Sequence, residues 1–126
     1  MVVYLCCGLI ASLAQIAATP DSYIPTLGAS GAIAGVLGMY LIWFPHNGIR
    51  VLFLRFIVIM PAAAVIGMWI ALQLWQGVGS FAQLGKVGGI AYLAHVGGAV
   101  TGIFAAFLFL KDARRLGQPT LFDRVR

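Results

Sequence analysis

The chain has 126 residues, of which 62% are apolar and 9% charged, far below the roughly 25% charged share of soluble globular domains, which excludes water as its main solvent. Its formal charge of +5 would suit nucleic acid, but the basic residues are separated by long apolar runs and gather at their ends. No nucleic-acid partner is expected; the charge reads as topological anchoring in a lipid bilayer.

Four charge-free stretches, residues 1–20, 22–49, 56–85 and 87–110, can each hold the ~20 apolar residues of a membrane helix. The expected fold class is therefore all-α: a polytopic transmembrane helix bundle with four spans in this chain, forming one domain over residues 1–126. Span one runs from Val2 to Ala18 and ends at the turn formers Thr19-Pro20-Asp21-Ser22. It starts at Met1 without a basic leader, so it reads as a span and not as a removable signal, and the abrupt start reads as that of a fragment. Cys6 and Cys7 are adjacent and lack the spaced partners of a metal site. No metal and no cofactor is expected.

Span two opens near Ser30 and closes at Phe44-Pro45-His46-Asn47-Gly48, where proline, asparagine and glycine break the helix in succession. Span three is expected from Phe56 to about Gln76, with Pro61 as a kink near its start. Residues 77–89 read as a glycine-rich loop, residues 90–110 as span four, and residues 111–126 as a basic tail. Seven of the eight lysines and arginines fall between spans two and three or after span four, so that side should be cytoplasmic. Ser30 and His95 then enter from the opposite, outer face.

An ionisable side chain inside the bilayer is costly, which makes His95 a functional candidate, although a histidine bonded to a neighbouring helix is the plainer reading. Ser30 alone reads as a small packing residue. Together they carry more, because both stand near the outer ends of their spans and can meet at one depth. His46 cannot substitute, since 16 helical residues put it about 24 Å below Ser30. A serine hydroxyl needs a base within hydrogen-bond reach to become a nucleophile. The acids Asp21, Asp112 and Asp123 all lie outside the spans, so the unit would be a Ser-His dyad.

Gly28 and Gly31 flank Ala29-Ser30 and would let a substrate backbone approach. Free N–H groups at the helix start, that of Ser30 among them, would hold an oxyanion. The pattern is not the Gly-x-Ser-x-Gly elbow of soluble hydrolases, which would need glycine at Ala32. The pairs Gly31 with Gly35 and Gly98 with Gly102 are spaced for close helix packing and would draw spans two and four together. A small transporter or channel subunit is disfavoured, since the spans offer no other charged residue to line a polar pathway.

With Gly28-Ala29-Ser30-Gly31-Ala32-Ile33-Ala34-Gly35 opening one span and Ala94-His95-Val96-Gly97-Gly98, then Gly102, opening another, the chain resembles the rhomboid intramembrane serine proteases. The likeness extends through Tyr4 to Leu9, the run from Pro61-Ala62 to Trp69 and Gln73, and Gly88-Gly89. It implies a rhomboid-like domain truncated at its N-terminal side, with the last four of six core helices present. It further implies Ser30 as nucleophile and His95 as general base, cutting single-span membrane proteins that enter from lipid near the outer face. Span three would be the lateral gate and residues 77–89 the cap.

The resemblance also suggests a multi-pass protein of a bacterial inner membrane with a cytoplasmic tail. Two departures stand out. The family often stacks an aromatic residue on the histidine from one turn after the serine, where this chain has Ala34. An earlier family helix supplies a histidine and an asparagine to the oxyanion, and no such segment occurs in these residues. The missing helices are thus an expected partner, and the 126 residues alone are expected to cleave poorly. A catalytically inactive rhomboid-like protein that binds transmembrane helices is the alternative.

Overall fold

A computed structural model of the chain describes residues 1–18, 20, 29–81 and 92–115. Its elements in order are α1 (Val2–Ala18), α2 (Ser30–Trp43), β1 (Gly48–Phe53), β2 (Phe56–Pro61), α3 (Ala62–Phe81), α4 (Tyr92–Leu108) and α5 (Leu110–Arg115). Helix α1 is rich in alanine and leucine and stops two residues before Pro20, which has no N–H to continue it. Helix α2 ends where Phe44 leaves helical geometry while its N–H still bonds the Tyr40 carbonyl, and Pro45 follows. The hydroxyls of Ser12 and Thr101 bond back to the carbonyls of Gly8 and Gly97 within their own helices, which satisfies them without water.

Helices α1, α2 and α4 form a tight trio, and α3 leans chiefly on α4. Small residues make the trio possible. A Cβ added to Gly31 would lie 2.6 Å from the Ala11 Cβ, and one on Gly97 would lie 2.7 Å from that of Ala14. Across the α2–α4 seam, a Cβ on Gly98 would collide with the Gly31 carbonyl and one on Gly102 with the Gly35 carbonyl. Gly35 is also closed in by Cys7 of α1, and Gly38 by the backbone of Ala99. Backbones approach this closely only where no side chain intervenes.

The large apolar residues point the other way. Leu5, Leu9 and Leu13 of α1, Trp75 of α3 and Phe104 of α4 are exposed, while the enclosed core is mostly small, with Cys7, Ala11, Ala32, Ala34, Ala62, Ala94, Ala99 and Ala106 joined by Ile42 and Ile66. Folding in water sorts residues in the opposite sense. Small residues inside and leucine or phenylalanine outside is the arrangement of helices packed in lipid.

Three expectations need correction. The chain is mostly helical but not all-α, because residues 48–61 form an antiparallel hairpin in register from Gly48 with Pro61 to Phe53 with Phe56. Span three accordingly begins at Ala62, not at Phe56, and Pro61 ends β2 instead of kinking a helix. The run Phe56-Ile57-Val58-Ile59 favours a strand, and Pro61 disfavours helical geometry at the residue before it. Helix α3 also continues to Phe81, past the expected loop start at Gly77.

The beginning of the tail is the short helix α5. Among the described residues α3 is the one helix long and apolar enough by itself to cross a membrane, over Ala62–Gly79 with mean hydropathy 1.3. Helices α1, α2 and α4 are apolar but shorter, at 17, 14 and 17 residues.

Candidate active site

Ser30 is the first residue of α2 and is exposed. The residue before it, Ala29, offers no side-chain cap, and the first intrahelical bond runs from the Ile33 N–H to the Ala29 carbonyl at 3.0 Å. The helix itself therefore makes no use of the N–H groups of Ser30, Gly31 and Ala32. Donors at such an end suit a developing negative charge.

His95 stands in the first turn of α4 and is buried. The glycine seam sets the two ends of α2 and α4 side by side. A Cβ on Gly31 would lie 3.4 Å from the Ala94 carbonyl, so the chain neighbours of Ser30 and His95 touch. The Ala94 N–H bonds the Gln15 Oε1 of α1 at 3.3 Å, which ties this end of α4 to the third helix of the trio. His46 is exposed beyond the other end of α2.

The histidine is held by α3. Its Nδ1 lies 2.7 Å from the Gln73 Oε1, with both side chains buried. A carbonyl oxygen only accepts, so Nδ1 carries the proton and donates; in the neutral ring Nε2 is then left as an acceptor. Trp69, one turn before Gln73, sets its ring 5.6 Å from the imidazole centroid at a tilt of 39°. The partner that orients His95 is thus a neutral amide, with an indole beside it.

These contacts resolve the departure at Ala34. That residue is fully buried, 3.4 Å from where a Cβ on Gly98 would stand, and an aromatic ring there would force the seam apart. The ring beside His95 comes from α3 instead. From the sequence, Trp69 and Gln73 carry no role in the site; the available signal is a buried-type polar residue and an aromatic spaced by four on an otherwise apolar helix. Of the other expected site residues, Gly31, Gly35, Gly98 and Gly102 lie in the seam, while Gly28 and most of the expected cap fall outside the described residues.

Comparison with known proteins gives a consistent answer. The Rhomboid domain family matches residues 1–112. Rhomboid protein 1, mitochondrial, of Saccharomyces cerevisiae is 33% identical over 97 residues, which is 77% of this chain and 26% of that protein. The chain therefore spans about a quarter of the length of that relative. No solved structure matches it significantly. With a glycine-sealed helical bundle that turns its large apolar residues outward, and a family match over nearly its whole length, the chain belongs to the rhomboid family and has a helical membrane fold.

Proposed function

We propose that this chain carries the catalytic dyad of an intramembrane serine protease, with Ser30 as nucleophile and His95 as general base. The observation that carries the reading is the Gln73 bond to His95 Nδ1, which leaves Nε2 free to accept a proton. In this reading Nε2 takes the Ser30 Oγ proton as Oγ bonds to the scissile carbonyl carbon. The oxyanion that forms is met by N–H groups at the start of α2. His95 then returns the proton to the leaving amine as the C–N bond breaks, and water releases the acyl group by the same steps in reverse order.

The substrates in this reading are single-span membrane proteins, whose strands or helices would reach Ser30 from lipid. Four helices, α1 to α4, traverse the bilayer, with Ser30 and His95 toward the outer face and Arg50, Arg55 and the tail toward the cytoplasm. The positive-inside bias supports this orientation.

A fluorophosphonate probe applied to the intact protein in detergent tests the assignment. Labelling should fall on Ser30, vanish in Ser30→Ala and drop in His95→Ala, and each substitution should remove nearly all cleavage because the two residues act as one unit. A folded protein that leaves Ser30 unlabelled, yet still retains transmembrane helices, would overturn the protease reading in favour of a noncatalytic rhomboid.

A further inference from the structure

The hairpin of residues 48–61 has no role in the site, and its surface is unusual. Arg50 and Arg55 are its only polar side chains, while Leu52, Phe53, Leu54, Phe56, Ile57 and Ile59 are each 65–83% exposed. Side chains alternate across a strand, so Phe53 and Phe56 lie on one face and Leu52, Ile57 and Ile59 on the other. Both faces are apolar. A two-stranded ribbon is at best marginally stable in water, and apolar exposure of this kind marks a surface that meets something other than water.

Three observations say what covers it. Strand β2 passes directly into α3, the helix long enough to cross a membrane, and the Ala62 and Ala63 N–H groups bond the carbonyls of Asn47 and Pro45. The root of the hairpin is therefore fixed at the end of a membrane span. Around that root cluster Tyr40, Trp43 and Phe44, with the Trp43 Nε1–H donating to the Ala106 carbonyl near the end of α4. Aromatic side chains of this type gather at the membrane–water boundary. Finally, a docked protein would cover one face of a ribbon, whereas lipid reaches both.

We infer that this hairpin is an interfacial lipid-binding element. Its apolar side chains enter the boundary between headgroups and acyl chains, and Arg50 and Arg55 engage the phosphates of anionic lipids. It cannot go deeper, since the outer edges of a two-stranded ribbon carry backbone groups that hydrocarbon cannot satisfy. At the boundary, water and headgroups reach those edges. Two cations on a short apolar ribbon give it a preference for anionic over zwitterionic lipid.

The test uses the intact protein with Cys6→Ser, Cys7→Ala and Leu54→Cys, labelled with an environment-sensitive fluorophore in phosphatidylcholine vesicles, with or without phosphatidylglycerol. Quenching by nitroxide near the lipid carbonyls should exceed quenching by nitroxide deep in the chains and by aqueous iodide. Nitroxide on phosphatidylglycerol should quench more than the same group on phosphatidylcholine, and Arg50→Gln with Arg55→Gln should bring the two to parity. Dominant iodide quenching would show a water-facing hairpin, and protection from every quencher would show a protein cover, such as a second copy; either overturns the inference. Unchanged lipid preference after removal of both arginines would overturn their assigned role.

Discussion

An imidazole serves as a general base only in the tautomer whose free nitrogen faces the hydroxyl. The Gln73 amide, 22 residues away, accepts from Nδ1 and so fixes the tautomer of His95 that leaves Nε2 as the acceptor; in the proposed protease reading Gln73 stands where soluble serine proteases use a carboxylate. Gln73→Met keeps the length of the side chain and removes the acceptor. Its expected effect is a fall in kcat of roughly ten- to a hundredfold, taking the scale from the loss of partners that orient metal-bound histidines, with KM little changed. Gln73→Glu, which keeps an acceptor oxygen, should retain more activity than Gln73→Met. Equal losses in both variants, or a change confined to KM, would mean that Gln73 only fills space. His95 is legible as a candidate in the sequence because an ionisable side chain in an apolar run is a costly placement, and Ser30 only through its matching depth at the start of a glycine-rich helix. Gln73 is not, because α3 is apolar around most of its circumference, and such a helix gives no sign of which face meets a neighbour.

At the level of elements, apolar runs and their breakers place α1, α2 and α4 within a residue or two, since Pro20 and the Pro45 to Gly48 cluster end the first two runs and the charges at Lys111 and Asp112 end the last. The stretch from Phe56 defeats that logic. A run of apolar residues reads equally as a buried helix or a strand, and here the pairing of Leu52 with Ile57 and of Val51 with Val58 decides for a hairpin. Leu54 takes a left-handed conformation, φ 55°, to close its turn. The glycine pairs, by contrast, are fully legible, and the seam gives them a measurable consequence. Gly102→Ala puts a methyl group into the Gly35 carbonyl, which should lower stability by about 1–3 kcal/mol, the usual cost of overpacking. Gly67→Ala meets nothing within 4 Å and should leave the unfolding midpoint unchanged or raise it slightly, given alanine's better helix propensity. Midpoints in mixed micelles compare the two. A smaller loss for Gly102→Ala than for Gly67→Ala would show that the seam does not hold the bundle together.

On the scale of the whole molecule, helix lengths bear on where the site sits in the bilayer. Helix α2 has 14 residues, so it rises about 21 Å, against a hydrocarbon core of about 30 Å. Its Trp43 end is tied to α4 near Ala106, and the basic residues Arg50, Arg55, Lys111 and Arg115 all follow the helix ends on that side. If those arginines and lysines lie at one headgroup layer, Ser30 falls short of the opposite layer by several ångströms, below the membrane surface. Charge predicts which side is cytoplasmic, whereas depth follows from the length of α2, which the sequence brackets between Ser30 and the break at Pro45. The expectation is concrete in a background carrying Cys6→Ser and Cys7→Ala. A cysteine at Lys111 should react with a membrane-impermeant thiol reagent only from the basic side. A cysteine at Ser30 should react only from the other side, and more slowly than one at the exposed Pro20, because the reagent must descend to reach it. Reaction of Ser30→Cys and Lys111→Cys from the same side would refute the orientation. Equal rates at residues 20 and 30 would put Ser30 at the surface, against the proposed cleavage within the bilayer.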